Sequence, residues 1–215
     1  MQARSERTRR RLIRAGAEMF DRDGYASATL GQIARTAGLT KGALYFHFAS
    51  KDGLADAVQE QGEVLLRDFV VRQREAGVPP VQGLIDLSHW LVWTLHDDPV
   101  IRASFRITDE CAGRQLPVTD FHQAWIAEVM RLVGQARAIG ELCEPSAADG
   151  PETLLSAVVC GLEVIAGSAG VQYPELRRRV GALWEFLLPS LVPDGQAGRY
   201  DVHAAGLVVR PVEAA

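Results

Sequence analysis

The chain has 215 residues, 47% of them hydrophobic, and a formal net charge of −4. This composition is ordinary for a soluble globular protein with one large domain, or a small domain and a larger one, and its average charge does not suggest a nucleic-acid partner. The N-terminal residues lack the apolar core of a signal peptide, so nothing points to export, and we expect a cytoplasmic protein.

The charge is distributed unevenly along the chain. Residues 1–54 carry ten Lys and Arg against five Asp and Glu, a net charge of +5, whereas the remainder carries thirteen against twenty-two, a net charge of −9. The basic N-terminal part is the end expected to meet phosphates.

The first predicted helix covers residues 4–23 and ends at Gly24. It opens with an arginine run and continues with an apolar stripe at spacings of three and four, namely Arg4, Arg7, Arg9, Arg10, Arg11, then Leu12, Ile13, Gly16, Ala17 and Phe20. The arginines alone are as compatible with a solvated helix face as with DNA. Their position directly before the next motif favours contacts along a DNA backbone.

Two short helices and a tight turn are predicted in residues 29–51, TLGQIARTAGLTKGALYFHFASK. Thr29 and Gln32 form a capping box, so a helix begins near Leu30, and Gly38 suits a left-handed helix end. Thr40 can cap the second helix, whose start is small and basic. Its apolar bulk comes from Leu44, Tyr45, Phe46 and Phe48. Two helices joined in this way are a helix-turn-helix, whose second helix enters the major groove by its N-terminal residues.

The rest of the chain up to residue 191 is predicted to be helical, with loops between the helices. Ser50 is a candidate N-cap for a long helix ending near Glu75, and Asp98 with Pro99 begins another helix that runs to about Thr108. The further predicted helices and loops are 81–96, a loop at 109–118, 121–140, a loop at 144–151, 152–170 and 174–191. We find no convincing strand, although residues 207–212 alternate weakly.

The last two strong helices predict a homodimer interface, at about residues 152–191. The final helix carries an apolar stripe that is broader than one neighbouring helix usually covers, formed by Leu176, Val180, Leu183, Trp184, Leu187, Leu188 and Leu191. Ala157 and Gly161 allow close helix contact in the helix before it. The alternative is that both helices only complete the monomer core.

Neither the cysteines nor the most apolar stretch indicates a special environment. Cys111, Cys143 and Cys160 are odd in number and widely spaced, which favours reduced thiols over a metal site or a disulfide. Residues 153–171 contain Glu163, two serines and several glycines, so we expect a buried helix and no membrane span.

The region around residues 7–54, a basic helix followed by TLGQIARTAGLTKGALYFHFASKDGL, resembles the DNA-binding region of TetR-type repressors. Within that family, TKGALYFHFASK is most similar to the γ-butyrolactone receptors of antibiotic-producing filamentous bacteria. The resemblance implies an all-α homodimer with an N-terminal helix-turn-helix domain and a C-terminal helical bundle. It also implies binding to a near-palindromic operator and release by a small molecule, with control of antibiotic or secondary-metabolite genes. We expect the domains at residues 1–50 and 51–193, with an unassigned tail at 194–215.

The candidate DNA contacts follow from the helix-turn-helix. Lys41 can donate to guanine O6 or N7, and Gly42 lets the backbones approach. Phosphate contacts are expected from Arg4, Arg7, Thr29, Thr40, Tyr45, His47 and Lys51. Phe48 is expected to pack in the core, whereas His47 could equally cap the helix end.

The candidate ligand site is apolar. A tryptophan matching Trp125 lines the pocket of the receptors that this chain resembles, and we add Trp90, Trp93, Phe105 and Val129. Many receptors of this group carry a glutamine in the linker helix, where this chain has Gly62. A polar ligand group would lose a partner there, at a cost of about 1–3 kcal/mol. A pseudo-receptor that senses an antibiotic or an intermediate is therefore an alternative. Gln61 and Glu63 would substitute only if the helix were rotated.

Two other classes of function stay open. A small helical enzyme would use His89, His96, Asp97 and Asp98, but His89 and His96 are two helical turns apart, and no nucleophile elbow, phosphate loop or HExxH motif is present. We expect no catalytic residue, metal or cofactor. A structural DNA-binding protein without a sensing role is the other class, but the large acidic part after residue 54 would add nothing to its electrostatic affinity for DNA.

Overall fold

A computed structural model describes residues 2–111, 120–143, 150–167 and 172–205, and these ranges contain helices and no strand. The helices are α1 (Gln2–Asp23), α2 (Leu30–Thr36), α3 (Lys41–His47), α4 (Lys51–Glu75), α5 (Pro80–Asp97), α6 (Pro99–Cys111), α7 (Phe121–Ala138), α8 (Gly150–Gly167) and α9 (Tyr173–Leu191), followed by a 3₁₀ turn at Ala197–Arg199. The all-α prediction is confirmed. The weak alternation at 207–212 and most of both predicted loops lie outside the described residues.

Local capping signals fix the helix boundaries. The Ser50 hydroxyl accepts from the Gly53 amide at 3.0 Å, and the Asp98 carboxylate accepts from the Val100 amide at 2.9 Å. Both predicted N-caps are therefore confirmed. The chain leaves α1 through Gly24, whose φ of 84° lies in the left-handed region.

Two predicted boundaries were wrong by a few residues. The helix expected to end near Thr108 continues to Cys111, because Glu110 pairs with Arg106 one turn before it, at 2.9 Å. The helix expected from Glu152 begins at Gly150. Proline in the first turn removes only an amide that has no helical partner, so Pro151 does not exclude a helix there.

Residues 1–70 and 98–125 form one compact unit. Its buried side chains come from each of its first helices, for example Leu12 and Phe20 in α1, Ile33 in α2, Leu44 in α3 and Leu54 in α4. The predicted stripe of α1 is confirmed as its buried face. In this unit α6 is tied to α1, because the Arg102 guanidinium donates to the Asp21 carboxylate at 2.8 Å.

The second compact unit is drawn from residues 71–97 and 126–215. Helix α5 is buried along nearly its whole length, as its apolar sequence predicted, and it packs with α8 and α9. The Trp184 indole donates to the Ser88 hydroxyl at 2.9 Å, which joins α9 to α5. The predicted domain boundary after residue 50 stays a prediction.

The start of the unassigned tail folds back onto the second unit. Asp201 exchanges two backbone hydrogen bonds with the Gln82 side chain on α5, at 2.8 and 3.1 Å. The buried His89 ring, through Nε2, lies 2.8 Å from the carbonyl oxygen of Val202. The carbonyl oxygen of His203 accepts from Arg177 of α9 at 3.0 Å. Residues 201–203 therefore bind both α5 and α9.

The apolar stripe of α9 lies largely inside the chain. Six of its seven members are buried, and Leu183 is half-buried. The inference that this stripe extends beyond the monomer was therefore wrong, since α5 and the second unit's own core cover it. Among the side chains that the structure describes, the large apolar ones exposed on α8 and α9 are different, namely Leu154, Val164, Ile165 and Phe186.

No described helix combines the length and the apolar character that crossing a bilayer requires. Cys111 is buried and Cys143 is exposed, and neither forms a disulfide, whereas the side chain of Cys160 lies outside the described residues.

Candidate nucleic-acid interface

The first helix of the helix-turn-helix begins with the predicted capping box. The Thr29 hydroxyl accepts from the Gln32 amide at 3.3 Å, and the Gln32 side chain accepts from the Thr29 amide at 3.2 Å. Two amides that the helix leaves free are thus satisfied, which fixes the start of α2.

The turn between α2 and α3 depends on Gly38. Its φ of 63° is confirmed as left-handed, and a Cβ at this position would also lie 3.2 Å from the Arg11 guanidinium. That guanidinium donates to the Ala37 carbonyl oxygen at 2.6 Å. Arg11 therefore belongs to the scaffold that joins α1 to the end of α2.

Helix α3 is divided into a buried and an exposed face. Thr40 caps it by accepting from the Ala43 amide at 3.1 Å, while Leu44 and Phe48 are buried. Lys41 and Gly42 are exposed, and 49% of Tyr45 is accessible. The expected core position of Phe48 is confirmed.

Lys41 and Tyr45 are neighbours on the exposed face. The Lys41 ammonium lies 5.7 Å from the centroid of the Tyr45 ring, at the outer range of a cation–π contact. A Cβ built on Gly42 would meet nothing closer than the Thr40 hydroxyl at 4.0 Å. The fold itself therefore does not need the space beside Gly42, and a partner backbone can approach there.

Phe46 does not supply the apolar bulk expected of it, because 81% of its side chain is exposed. The ring meets the ring of His47 edge-on at 5.2 Å. The seven residues of α3 make only two helical turns, and its buried side is already filled by Leu44 and by Phe48, which follows it. His47 is half-buried at the end of α3, so both of its predicted roles stay open.

Lys51 is engaged inside the protein. Its ammonium donates to the carbonyl oxygens of Tyr25, Ala26 and Ala28 at 2.8, 3.1 and 3.2 Å. An ammonium has three donors, so none is left over for the predicted phosphate contact in this arrangement. The Tyr25 hydroxyl in turn donates to Asp52. The first turn of α4 thus holds the segment that precedes α2.

Of the arginines in α1, Arg4 and Arg7 are exposed, as a backbone contact requires. Arg10 lies 3.5 Å from Glu6, and Arg9 lies 3.9 Å from Glu60. These surface pairs are weak and do not prevent an exchange of partners. Both interpretations of the arginine run therefore remain.

A second anchor joins α6 to the end of α1 and to the segment that precedes α2. The Glu110 carboxylate accepts from the Ala26 amide at 3.0 Å, and Arg106 donates to the Asp21 carbonyl oxygen. Burial by itself raises the pKa of Glu110, but these amide and guanidinium donors lower that pKa below its usual value. Glu110 is held as the charged form.

The predicted ligand residues are distributed over both units. Trp125 and Phe105 belong to the first unit, and both are fully or almost fully buried. Trp90 and Val129 are buried in the second unit, where Trp93 is half-buried. Burial fits the expectation that they are apolar lining residues and equally fits core packing, so the assignment stays a prediction.

A polar residue at the centre of the first unit was not predicted from the sequence. Gln59 is 1% exposed; its amide nitrogen donates to the Ser104 carbonyl and the Thr108 hydroxyl at 3.1 and 3.2 Å, and its oxygen accepts from the Phe121 amide at 3.2 Å. It therefore binds α4 to α6 and α7. A sequence signal existed, since position 59 lies on the apolar stripe 55, 62 and 66 at spacings of three and four.

Gly62 lies one turn beyond Gln59 and has little room for a side chain. An added Cβ would lie 3.0 Å from both the Phe121 ring and the Ser104 hydroxyl. The space that a larger side chain at position 62 would take is thus occupied by its neighbours. Gln61 and Glu63 are half-buried beside it.

Comparison with known proteins agrees with this geometry. Residues 12–58 match the bacterial regulatory proteins of the tetR family. The A-factor receptor protein of Streptomyces griseus is 30% identical over 211 residues, a match that covers 94% of this chain and 72% of the relative.

Solved structures with the same fold include receptors and a DNA complex. A γ-butyrolactone receptor described as ArpA-like superposes with a TM-score of 0.77 at 29% identity, covering 94% of this chain and 97% of that one. CprB from Streptomyces coelicolor, solved in complex with its operator sequence, gives a TM-score of 0.74 at 29% identity, covering 94% and 96%. The resemblance stated from the sequence is confirmed: the chain belongs to the TetR family of bacterial regulatory proteins, and within that family it is related to the γ-butyrolactone receptors.

Proposed function

We propose that the protein is a transcriptional repressor that binds a near-palindromic operator as a homodimer and leaves it when a small signalling molecule binds. The observation that carries this proposal is the exposed face of α3, where Lys41, Gly42 and Tyr45 stand free of the core on a capped helix-turn-helix. Lys41 is the group that reads guanine, and Tyr45 with Thr29, Thr40, Arg4 and Arg7 contacts phosphates.

The proposed dimer uses α8 and α9. Val164 and Phe186 are 71% and 79% exposed, with Leu154 and Ile165 at 39% and 37%. Exposed apolar side chains on two helices that pack together within the second unit are typical of a subunit interface. A twofold dimer would present two copies of α3, which suits two half-sites about 34 Å apart.

The proposed control is a shift between two dimer forms. The ligand needs only to bind more tightly to the form whose α3 helices do not match the operator spacing. Antibiotic production is the process named for a related solved structure, and we propose secondary-metabolite genes as the targets here. The protein would act in the cytoplasm, without a catalytic residue or cofactor.

A second candidate for the ligand rests on the glycine at position 62. Position 62 is a glycine and offers no polar side chain, and an added Cβ there would lie 3.0 Å from Phe121 and Ser104. A γ-butyrolactone that needs this partner would bind poorly. We therefore propose an antibiotic or a biosynthetic intermediate as the alternative to a γ-butyrolactone.

A gel shift with the DNA upstream of the protein's own gene tests the function. We expect a retarded band that culture extract, or one member of a panel of γ-butyrolactones and antibiotics, abolishes. The panel member that raises the melting temperature identifies the ligand class. A band that no extract or compound affects would leave a DNA-binding protein without a sensing role.

Trp125 provides the residue-level test of ligand binding. Its side chain is 0% exposed, and Trp125→Ala would leave a cavity costing about 3–5 kcal/mol. Trp125→Phe is therefore the better variant. We expect it to bind the operator as before and to need more ligand for release, whereas lost operator binding would make Trp125 a structural residue.

A further inference from the structure

The line of α3 that points farthest from the protein core is formed by Gly42 and Phe46. Successive residues of a helix are turned by about 100°, so positions 42 and 46 each point about 160° away from the buried Leu44. Lys41 and Tyr45 lie to one side of this line. Whatever α3 faces therefore meets Gly42 and Phe46 most directly.

Phe46 is apolar and largely exposed to solvent. The side chain of Phe46 is 81% exposed, and its ring contact with His47 is local to the same helix. Gly42, one turn earlier, adds no side chain that would keep a partner away. Phe46 can therefore reach the floor of a groove into which α3 is inserted.

The major groove contains one apolar group that distinguishes a base pair, the 5-methyl group of thymine. Guanine, cytosine and adenine present donors and acceptors there, which a phenyl ring cannot satisfy. We propose that Phe46 reads a thymine in each operator half-site by packing against its methyl group, beside the base that Lys41 contacts. This inference rests on the proposed DNA-binding function and adds a second, apolar determinant of sequence preference.

The test replaces single operator thymines by deoxyuridine, which removes only the methyl group. The operator is first located by footprinting with the wild-type protein. At one thymine in each half-site we expect wild-type binding to weaken about fourfold, the value for one buried methyl-sized group. With Phe46→Ala, the same replacement should change the affinity by less than about 1.5-fold. Phe46→Leu, which keeps an apolar side chain, should regain part of the sensitivity.

Two results would overturn the inference while leaving the repressor function intact. One is wild-type binding that is equally tight to every deoxyuridine operator. The other is a loss of affinity on deoxyuridine replacement that is as large for Phe46→Ala as for the wild type, because the methyl group then contacts another residue. A changed oligomeric state of Phe46→Ala with unaltered thymine sensitivity would assign the ring to a protein contact. Failure of the proposed function is distinct, since the wild-type protein would then bind no operator at all.

Discussion

The ammonium nitrogen of Lys51 lies 2.8 Å from the carbonyl oxygen of Tyr25, and the same ammonium lies 4.5 Å from the centroid of the Tyr25 ring. With two more carbonyl oxygens as acceptors, Lys51 fixes the segment before α2 to the start of α4. The residue thereby positions the helix-turn-helix from within the protein.

Lys51→Met should lower the free energy of unfolding by roughly 1–3 kcal/mol, because three carbonyl oxygens lose a charged donor. Operator binding should weaken by the same factor at every salt concentration. The measurement is the slope of log K against log salt, which falls by about 1 for each lost phosphate contact. If the slope fell by about 1 for Lys51→Met, the Lys51 ammonium would have to leave the three carbonyl oxygens and contact a DNA phosphate in the complex.

Lys41→Ala should weaken operator binding by about 1–3 kcal/mol and relax the preference for guanine at one position of each half-site. The physical reason is that Lys41 is an exposed donor at the start of α3 and has no packing role. Binding to operators with each base substituted in turn measures the effect. Arg7→Ala is the matched control, since the loss of a phosphate contact should weaken binding to all operator sequences equally.

Gly62→Ala should lower the free energy of unfolding by roughly 1–3 kcal/mol, since its Cβ would press on Phe121 and Ser104, which are both fully buried. Gly62→Gln should cost more. Gly134→Ala in α7 is the control, because nothing lies within 4 Å of its added Cβ, and it should stabilise by about 0.5–1 kcal/mol. Equal denaturation midpoints for the two alanine variants would mean that α4 moves freely at Gly62.

Phe186→Glu should weaken the free energy of dimerisation by about 2–4 kcal/mol and so raise the dissociation constant, because the interface would have to bury an unpaired charge. Sedimentation equilibrium measures the change. Ile139→Glu removes another exposed apolar side chain, 64% accessible and outside α8 and α9, and should leave the dimer intact. An unchanged dimer in Phe186→Glu would place the interface elsewhere.

Burial lowers the pKa of His89, and the nearby charges of Arg177 and His203 lower it further. The unfolded chain therefore binds a proton that the folded protein excludes, and stability should fall as the pH drops below about 6.5. The neutral ring donates through Nε2 to Val202, and a second proton on the buried Nδ1 would find no acceptor among the described residues.

Urea denaturation at about pH 8 and about pH 5.5 measures this dependence on each side of the unfolded pKa. His89→Gln keeps a donor for the Val202 carbonyl but cannot gain a charge, so its loss of stability between the two pH values should be smaller than that of the wild type. The same loss in both proteins would assign the acid sensitivity to other groups.

The helix-turn-helix could be predicted from the sequence because its signals are local. Thr29 with Gln32, the left-handed Gly38 and the cap Thr40 act within three or four residues, and all three were found as expected. The residues that the sequence did not reveal make contacts over long separations. Lys51 binds carbonyls more than twenty residues before it, and Gln59 binds groups 45 or more residues after it.

Surface exposure was harder to predict than helix position. Phe46 and the stripe of α9 are apolar in the same way, yet the first is exposed and the second is buried. Periodicity identifies the apolar face of a helix but not whether another element covers it, and a seven-residue helix offers little periodicity at all.

The hydrogen bonds of the Gln59 side chain limit how α4 and α6 can move relative to each other. A small sliding of α6 along α4 would strain the bonds from Gln59 to Ser104 and Thr108 together, since one amide nitrogen donates both of them. Because these bonds are buried and share one amide, they oppose a gradual change of register between α4 and α6.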